Sequence, residues 1–140
     1  MLEQGLVLLI QTALAGSPPV ATVPGGFYAQ LPKDQIDATK TMAWTYRFIH
    51  SEPSYFIGGQ DPFTAATVQI DCHGYTQANA ITLALAIDKI LRGVFRGTLA
   101  DPDATVVDSI FREPTFLDGF SDANRSYVRS LEYLINYIQS

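Results

Sequence analysis

Apolar and polar residues alternate with a period of two along much of the chain. In "MAWTYRFIH", Met42, Trp44, Tyr46 and Phe48 point one way and Ala43, Thr45, Arg47 and Ile49 the other. The alternation predicts a strand with one strongly apolar face. In "AATVQIDCHGY", Val68, Ile70, Cys72 and Gly74 share one face, and Gln69, Asp71, His73 and Tyr75 share the other. "TVVDSIFREP" reads as a strand ended by Pro114, and "FYAQLP" as a short edge strand closed by Pro32. The tail, "SYVRSLEYLINYIQS", fits two periods. Val128, Leu131, Ile135 and Ile138 match a helix; Leu131, Tyr133, Ile135 and Tyr137 match a strand. Its tyrosines, valine and isoleucines favour the strand.

Helical spacing appears twice. Leu2, Leu6, Leu9, Ile10 and Ala13 predict an amphipathic helix over 2–15, ended by Gly16 and kept from resuming by Pro18 and Pro19. Thr76 can cap a second helix running to about Phe95. Its buried stripe is Ala80, Leu83, Ala84, Ile87, Ile90, Leu91 and Val94. "KDQIDATKT" and "TFLDGFSDANR" read as loops and "GTLADPDA" as a turn. "SEPSYFIGGQDPF" carries two prolines and a Gly-Gly pair, and reads as a projecting loop at about 51–64. Tyr55, Phe56, Ile57 and Phe63 make it apolar for a loop. Such a loop folds back on the core or meets a partner, so these four are the candidate contact residues.

The order is helix, edge strand, strand, strand, helix, strand, strand. It predicts a single α+β domain over 1–140: a mainly antiparallel mixed sheet of about five strands with two helices packed on one face.

Composition changes this picture in one respect. Charged residues make up 16% of the chain, against about 25% in an ordinary soluble domain. So little charge suits a fold that turns part of its surface toward other chains. The net charge is −5 and no run of Lys or Arg occurs, so tight nucleic-acid binding is not expected. Cys72 is the only cysteine, which excludes an intrachain disulfide. The N-terminal apolar run, Leu6 to Ile10, is short, and Glu3 stands where a signal peptide carries positive charge. No stretch approaches the ~18 apolar residues of a membrane span.

The one suggestive cluster is "VQIDCHGY", which sets Asp71, Cys72 and His73 side by side. Neighbours in a strand point to opposite faces, so Cys72 cannot readily pair with His73 as a nucleophile and base. Cys72 reads as a small buried hydrophobe. Asp71 and His73 share a face, where a carboxylate could orient an imidazole; the plainer expectation is a polar residue on a less buried face. His50, the other histidine, ends its strand away from His73, which argues against a two-histidine metal site. "DPDAT", with Asp101 and Asp103, lacks the ligands and glycine of a calcium loop. "FIGGQD" is not followed by the helix of a phosphate loop. No cofactor or metal is expected.

"ATVQIDCHGYTQANAITLALAIDKILRG", a strand followed by a Thr-capped helix rich in Ala and Leu, resembles the centre of the tail-terminator, or tail-completion, family of long-tailed bacteriophages and prophages, the family of the lambda tail terminator. The first helix, "GGFYAQLPKD" and the closing "NRSYVRSLEYLINYIQ" are similar to its flanks, so the likeness covers nearly the whole chain in order and spacing. The family's Pro-Tyr-aliphatic start of the second strand is replaced here by "TMAWTYRFI".

The resemblance implies a structural virion protein in the tail or neck, assembled in the bacterial cytoplasm. Such proteins form a hexameric ring on the head-proximal end of the tail tube, stop its polymerisation and offer a surface to the head–tail connector. DNA passes through without specific binding. Tyr55, Phe56, Ile57 and Phe63 would then touch a neighbouring subunit or the tail tube. The alternatives are a neck or head-completion component, a binding module using the 51–63 segment, and a small enzyme using Asp71 and His73.

Overall fold

The computed structural model of the chain describes residues 2–16, 25–29, 31, 36, 41–56, 59–92, 97–99, 105–113, 116–121 and 125–138, with the backbone alone described from 50 to 63. The fold is α+β and mostly sheet. Its elements are α1 (Leu2–Ala15), β1 (Gly25–Tyr28), β2 (Met42–Phe56), β3 (Gly59–Gly74), α2 (Gln77–Arg92), β4 (Gly97–Thr98), β5 (Val106–Arg112), β6 (Leu117–Ser121) and β7 (Ser126–Ile138). Seven strands stand where about five are expected. The additions are the two-residue β4 and β6, which occupies the "TFLDGFSDANR" loop.

The sheet order is β1-β2-β3-β7-β5-β4, and β6 also pairs with β7. All pairings are antiparallel except β1 with β2. β7 is therefore flanked on one side by β3 along its whole length. On its other side it meets β5 at residues 133–138 and β6 at residues 126–130. The tail is a strand, as its aromatic and β-branched content favours.

Both helices cover one face. Leu2, Leu6, Ile10 and Leu14 of α1, and Leu83, Ala84, Ile87 and Leu91 of α2, meet Trp44, Val68, Ile70, Leu131, Tyr133 and Ile135 of the sheet. These strand residues are the alternate positions of β2, β3 and β7 that the registers bring into rows. Burying each large aliphatic side chain contributes about 1.5–3 kcal/mol. α1 is tied down by the Tyr46 hydroxyl, which donates to Glu3 Oε1 at 2.6 Å. α2 begins as expected, with Thr76 Oγ1 accepting from the Asn79 amide at 3.2 Å. Its first turn sits so tightly on the end of β3 that a Cβ on Gly74 would overlap Ala80 N and lie 2.7 Å from Thr76 O. No helix among the described residues is long and apolar enough to cross a membrane.

The segment read as a projecting loop is instead the outer part of a long hairpin. β2 and β3 remain paired from Glu52↔Ala65 out to Phe56↔Gly59, with an irregularity between Pro53 and Tyr55. Its prolines are tolerated because, among the described residues, β2 has no outer neighbour at Pro53 and β3 has none at Pro62. β1 covers β2 only at Trp44 to Tyr46, and β7 covers β3 only as far as Phe63. A proline that lacks an N–H costs no ladder bond on such an open edge.

Candidate functional site

The pleat divides "VQIDCHGY" as its alternation requires. Cys72 lies on the helix-covered face, fully buried opposite Trp44 on one side and Arg129 on the other. Burial pushes its thiol far above the ordinary range, so it stays protonated and packs as a small apolar group. Asp71 faces the other way and accepts hydrogen bonds from the Ser130 hydroxyl at 2.6 Å and the Gln69 amide at 2.9 Å.

His73 corrects the expectation of a less buried face: it is 6% exposed. Its Nδ1 lies 3.1 Å from Ser126 Oγ and its Nε2 lies 3.5 Å from Thr45 Oγ1. Thr45, Ser126 and the adjoining Ala43 are buried with it. The sheet curls, and this end of its second face is sealed. Burial lowers the imidazole pKa, and the charge of Asp71 opposes that shift only in part. The Ser130–Asp71 bond and the His73–Ser126 contact thus tie β3 to β7, and the His73–Thr45 contact ties β3 to β2. No group of three or more His, Cys, Asp or Glu placed to hold a metal occurs among the described residues. The side chain of His50 and the pair Asp101 and Asp103 lie outside them.

A second polar cluster lies under α2. Asp88 is 5% exposed and falls within the helix's apolar stripe. Its Oδ1 accepts from the Tyr133 hydroxyl at 2.8 Å, and its Oδ2 meets Arg92 Nε at 2.7 Å and Arg112 Nη1 at 3.3 Å. Burial, then the bond to Asp88, raises the Tyr133 hydroxyl pKa well above normal. The cluster locks α2 to β5 and β7. Helical spacing places residue 88 one step from Ile87 and four from Ala84 and Arg92, but nothing in the sequence announces its partners, which come from strands 24 and 45 residues away.

The described surface is most apolar around β6. Leu117 is 75% exposed and Phe120 is 53% exposed; Phe116 and Tyr127 beside them are also exposed. Leu117 to Phe120 are exposed, and β7 is the only strand neighbour of β6 among the described residues. Gly119 lies at its middle, where an added Cβ would meet nothing within 4 Å. A shallow cleft of ≈ 210 Å³ separates Phe120 and Tyr127 from Gln77, Ala80 and Ile81 of α2. Another, of ≈ 190 Å³, lies on the opposite side of the strand against Leu117, Val128 and Ser130. Arg129 binds Asp118 in a two-pronged pair at 2.8 and 2.9 Å and stacks on Phe116 at 4.0 Å. That bond holds the Asp118 carboxyl below its usual range. The signal for this surface was present in "TFLDGFSD": Phe116 and Phe120 alternate with Leu117, putting apolar residues on both faces of one short strand.

Of the four candidate contact residues, Tyr55, Phe56 and Phe63 lie on the outer hairpin, where only the backbone is described, and Ile57 lies outside the described residues. No protein-family model and no curated protein matches the chain.

Proposed function

We propose that this chain is a structural virion protein of the tail-terminator type. It caps the head-proximal end of a phage tail tube as a hexameric ring, ends tube polymerisation and joins the tail to the head connector. The reading draws on the resemblance in element order, on the α+β sheet with two helices on one face, and above all on β6. A strand that is apolar on both faces and open along its edge is a surface a monomer does not need. The net charge of −5 suits a ring through which DNA slides without being held. His73 is buried against Ser126 and Thr45, and Asp71 is bonded to Ser130 and Gln69, so the two do not form the carboxylate–imidazole pair that the enzymatic alternative needs.

The test is direct. Light scattering and negative-stain microscopy of the concentrated protein, alone and with purified tail tubes, should give a mass near six subunits and a ring seated on tube ends. A strict monomer that ignores tail tubes would sink the proposal.

A further inference from the structure

The two ends of the sheet complement each other. One end is β1, four residues long, which pairs only with β2 among the described residues. The other includes β6, five residues long, which pairs only with β7 among the described residues. The registers place them at the same level. A single row of paired residues runs Phe27, Thr45, Asp71, Ser130, Leu117 from one edge to the other. The next row runs Gly25, Trp44, Cys72, Arg129, Asp118. Successive pairings fix the directions too: β6 runs opposite to β2, and β1 runs parallel to β2. A copy of the chain set beside the first in the same orientation therefore presents β1 antiparallel to β6.

Side chains and charges agree with that placement. Phe27 and Leu117 lie on the same face at the two ends of one row, and would become a cross-strand apolar pair. On the helix-covered face, Tyr28 is exposed at one end, and Phe116, one residue before Leu117, is exposed at the other. The row Arg47, Gln69, Glu132 begins with an exposed arginine. It ends at Glu132, whose carbonyl accepts from the backbone of the exposed Glu113. A basic end of one copy thus approaches an acidic end of the next.

We propose that the chain joins copies of itself head to tail, β1 of one copy adding to the outer edge of β6 of the next, along Leu117 to Phe120, so that one sheet continues across the joint. Such a contact uses two different surfaces and closes into a ring when the rotation per copy permits. Its closure into six rests on the tail-cap reading; the joint itself does not.

Cys72 is buried and inert, so introduced cysteines are the only reactive thiols. The double variant Phe27→Cys/Leu117→Cys, treated with a short bis-maleimide, should give a covalent ladder from dimer upward on a denaturing gel. Each single variant should give dimers at most, because like edges do not meet. Tyr28→Cys/Phe116→Cys, built on two exposed positions, repeats the test if Phe27→Cys impairs folding. Arg47→Glu should weaken self-association about fivefold, and adding Glu113→Arg should restore it. Double variants that yield no more cross-linking than the singles overturn the joint. If they fail while native rings still form, the interface lies elsewhere and the tail-cap reading stands. A ladder from assemblies that ignore tail tubes supports the joint and removes the tail cap.

Discussion

β7 passes through two environments within thirteen residues. Its second half, Leu131 to Tyr137, runs between β3 and β5 beneath α2, with Leu131, Tyr133 and Ile135 fully buried. Its first half, Tyr127 to Ser130, has the same neighbour on the β3 side but borders β6, where Leu117 and Phe120 face outward. Both halves are rich in apolar and aromatic residues. What separates them is coverage: one is closed by a helix and a polar lock, the other by a strand that has no cover of its own. Apolarity drives burial in both, but only the second half, Leu131 to Tyr137, achieves it within one chain.

Two glycines mark the extremes of this contrast. Gly74 ends β3 in the row of Met42 and Tyr127, under the first turn of α2. Gly74→Ala should be the most damaging single-methyl change, costing about 3 kcal/mol. The clash is with Ala80 N and Thr76 O, which are backbone atoms and cannot rotate away. Urea unfolding should report the loss as a lower midpoint with an unchanged slope. A midpoint within error of the native protein would show that α2 does not sit closely on the sheet.

The polar lock under α2 comes next. Asp88→Ala leaves the Tyr133 hydroxyl and the Arg112 guanidinium without their carboxylate partner in a largely buried place. Removing one member of such a set costs about 2–3 kcal/mol. Arg92 is mostly exposed and water replaces its share. Asp88→Asn, which keeps an acceptor for Tyr133, should recover part of the loss. Equal destabilisation by both variants would show that charge, not hydrogen bonding, sets the energy.

The sealed His73, in the row of Val128, gives the fold a pH dependence near neutrality. Burial lowers its pKa from the unfolded value of 6.5. The neutral ring is the folded form, so its contribution is complete above pH 6.5 and falls as pH drops below it. The slope is at most about 1.4 kcal/mol per pH unit for one proton. Stability measured from pH 7.5 to 5 should decline in the native protein, and the decline should flatten in His73→Gln. Facing groups are Asp71, whose charge moderates the shift, and the uncharged Thr45 and Ser126. An identical decline in His73→Gln would assign the effect to carboxylates.

The same coverage explains how far the sequence could be read. Alternation in "MAWTYRFIH", "AATVQIDCHGY" and the tail shows one face, because helices cover one face there. The outer hairpin does not show in the alternation because Pro53, Pro62 and the Gly-Gly pair are turn residues in most contexts. Only the pairing reveals that, among the described residues, each strand is open-edged at its own proline. β6 looked like a loop because Gly119 and two aspartates interrupt an apolar stretch on both faces, a pattern no single covered face would produce. Aromatic content alone points to the hairpin residues Tyr55, Phe56, Ile57 and Phe63 as contacts. The apolar surface with described side chains is instead the pairing partner of β7, nine sequence positions or fewer from it. Asp88 was invisible for another reason: its role depends on partners brought in by β5 and β7.

Gly119 supplies the smallest expected effect, and the sharpest test of the contrast. Its φ is not in the left-handed region, and an added methyl meets nothing within 4 Å. Gly119→Ala therefore carries no steric penalty in the single chain. It restricts the unfolded backbone and should raise stability by about 0.5 kcal/mol. Where the identical change at Gly74 meets backbone, this one meets open space. That space is where a neighbouring copy would lie, so a larger group should matter only on assembly. Gly119→Trp should leave the urea midpoint of the isolated chain nearly unchanged while lowering the mass seen by light scattering at high concentration. If instead Gly119→Trp destabilises the chain as Gly74→Ala does, β6 is covered from within and the division of β7 into a closed and an open half is lost.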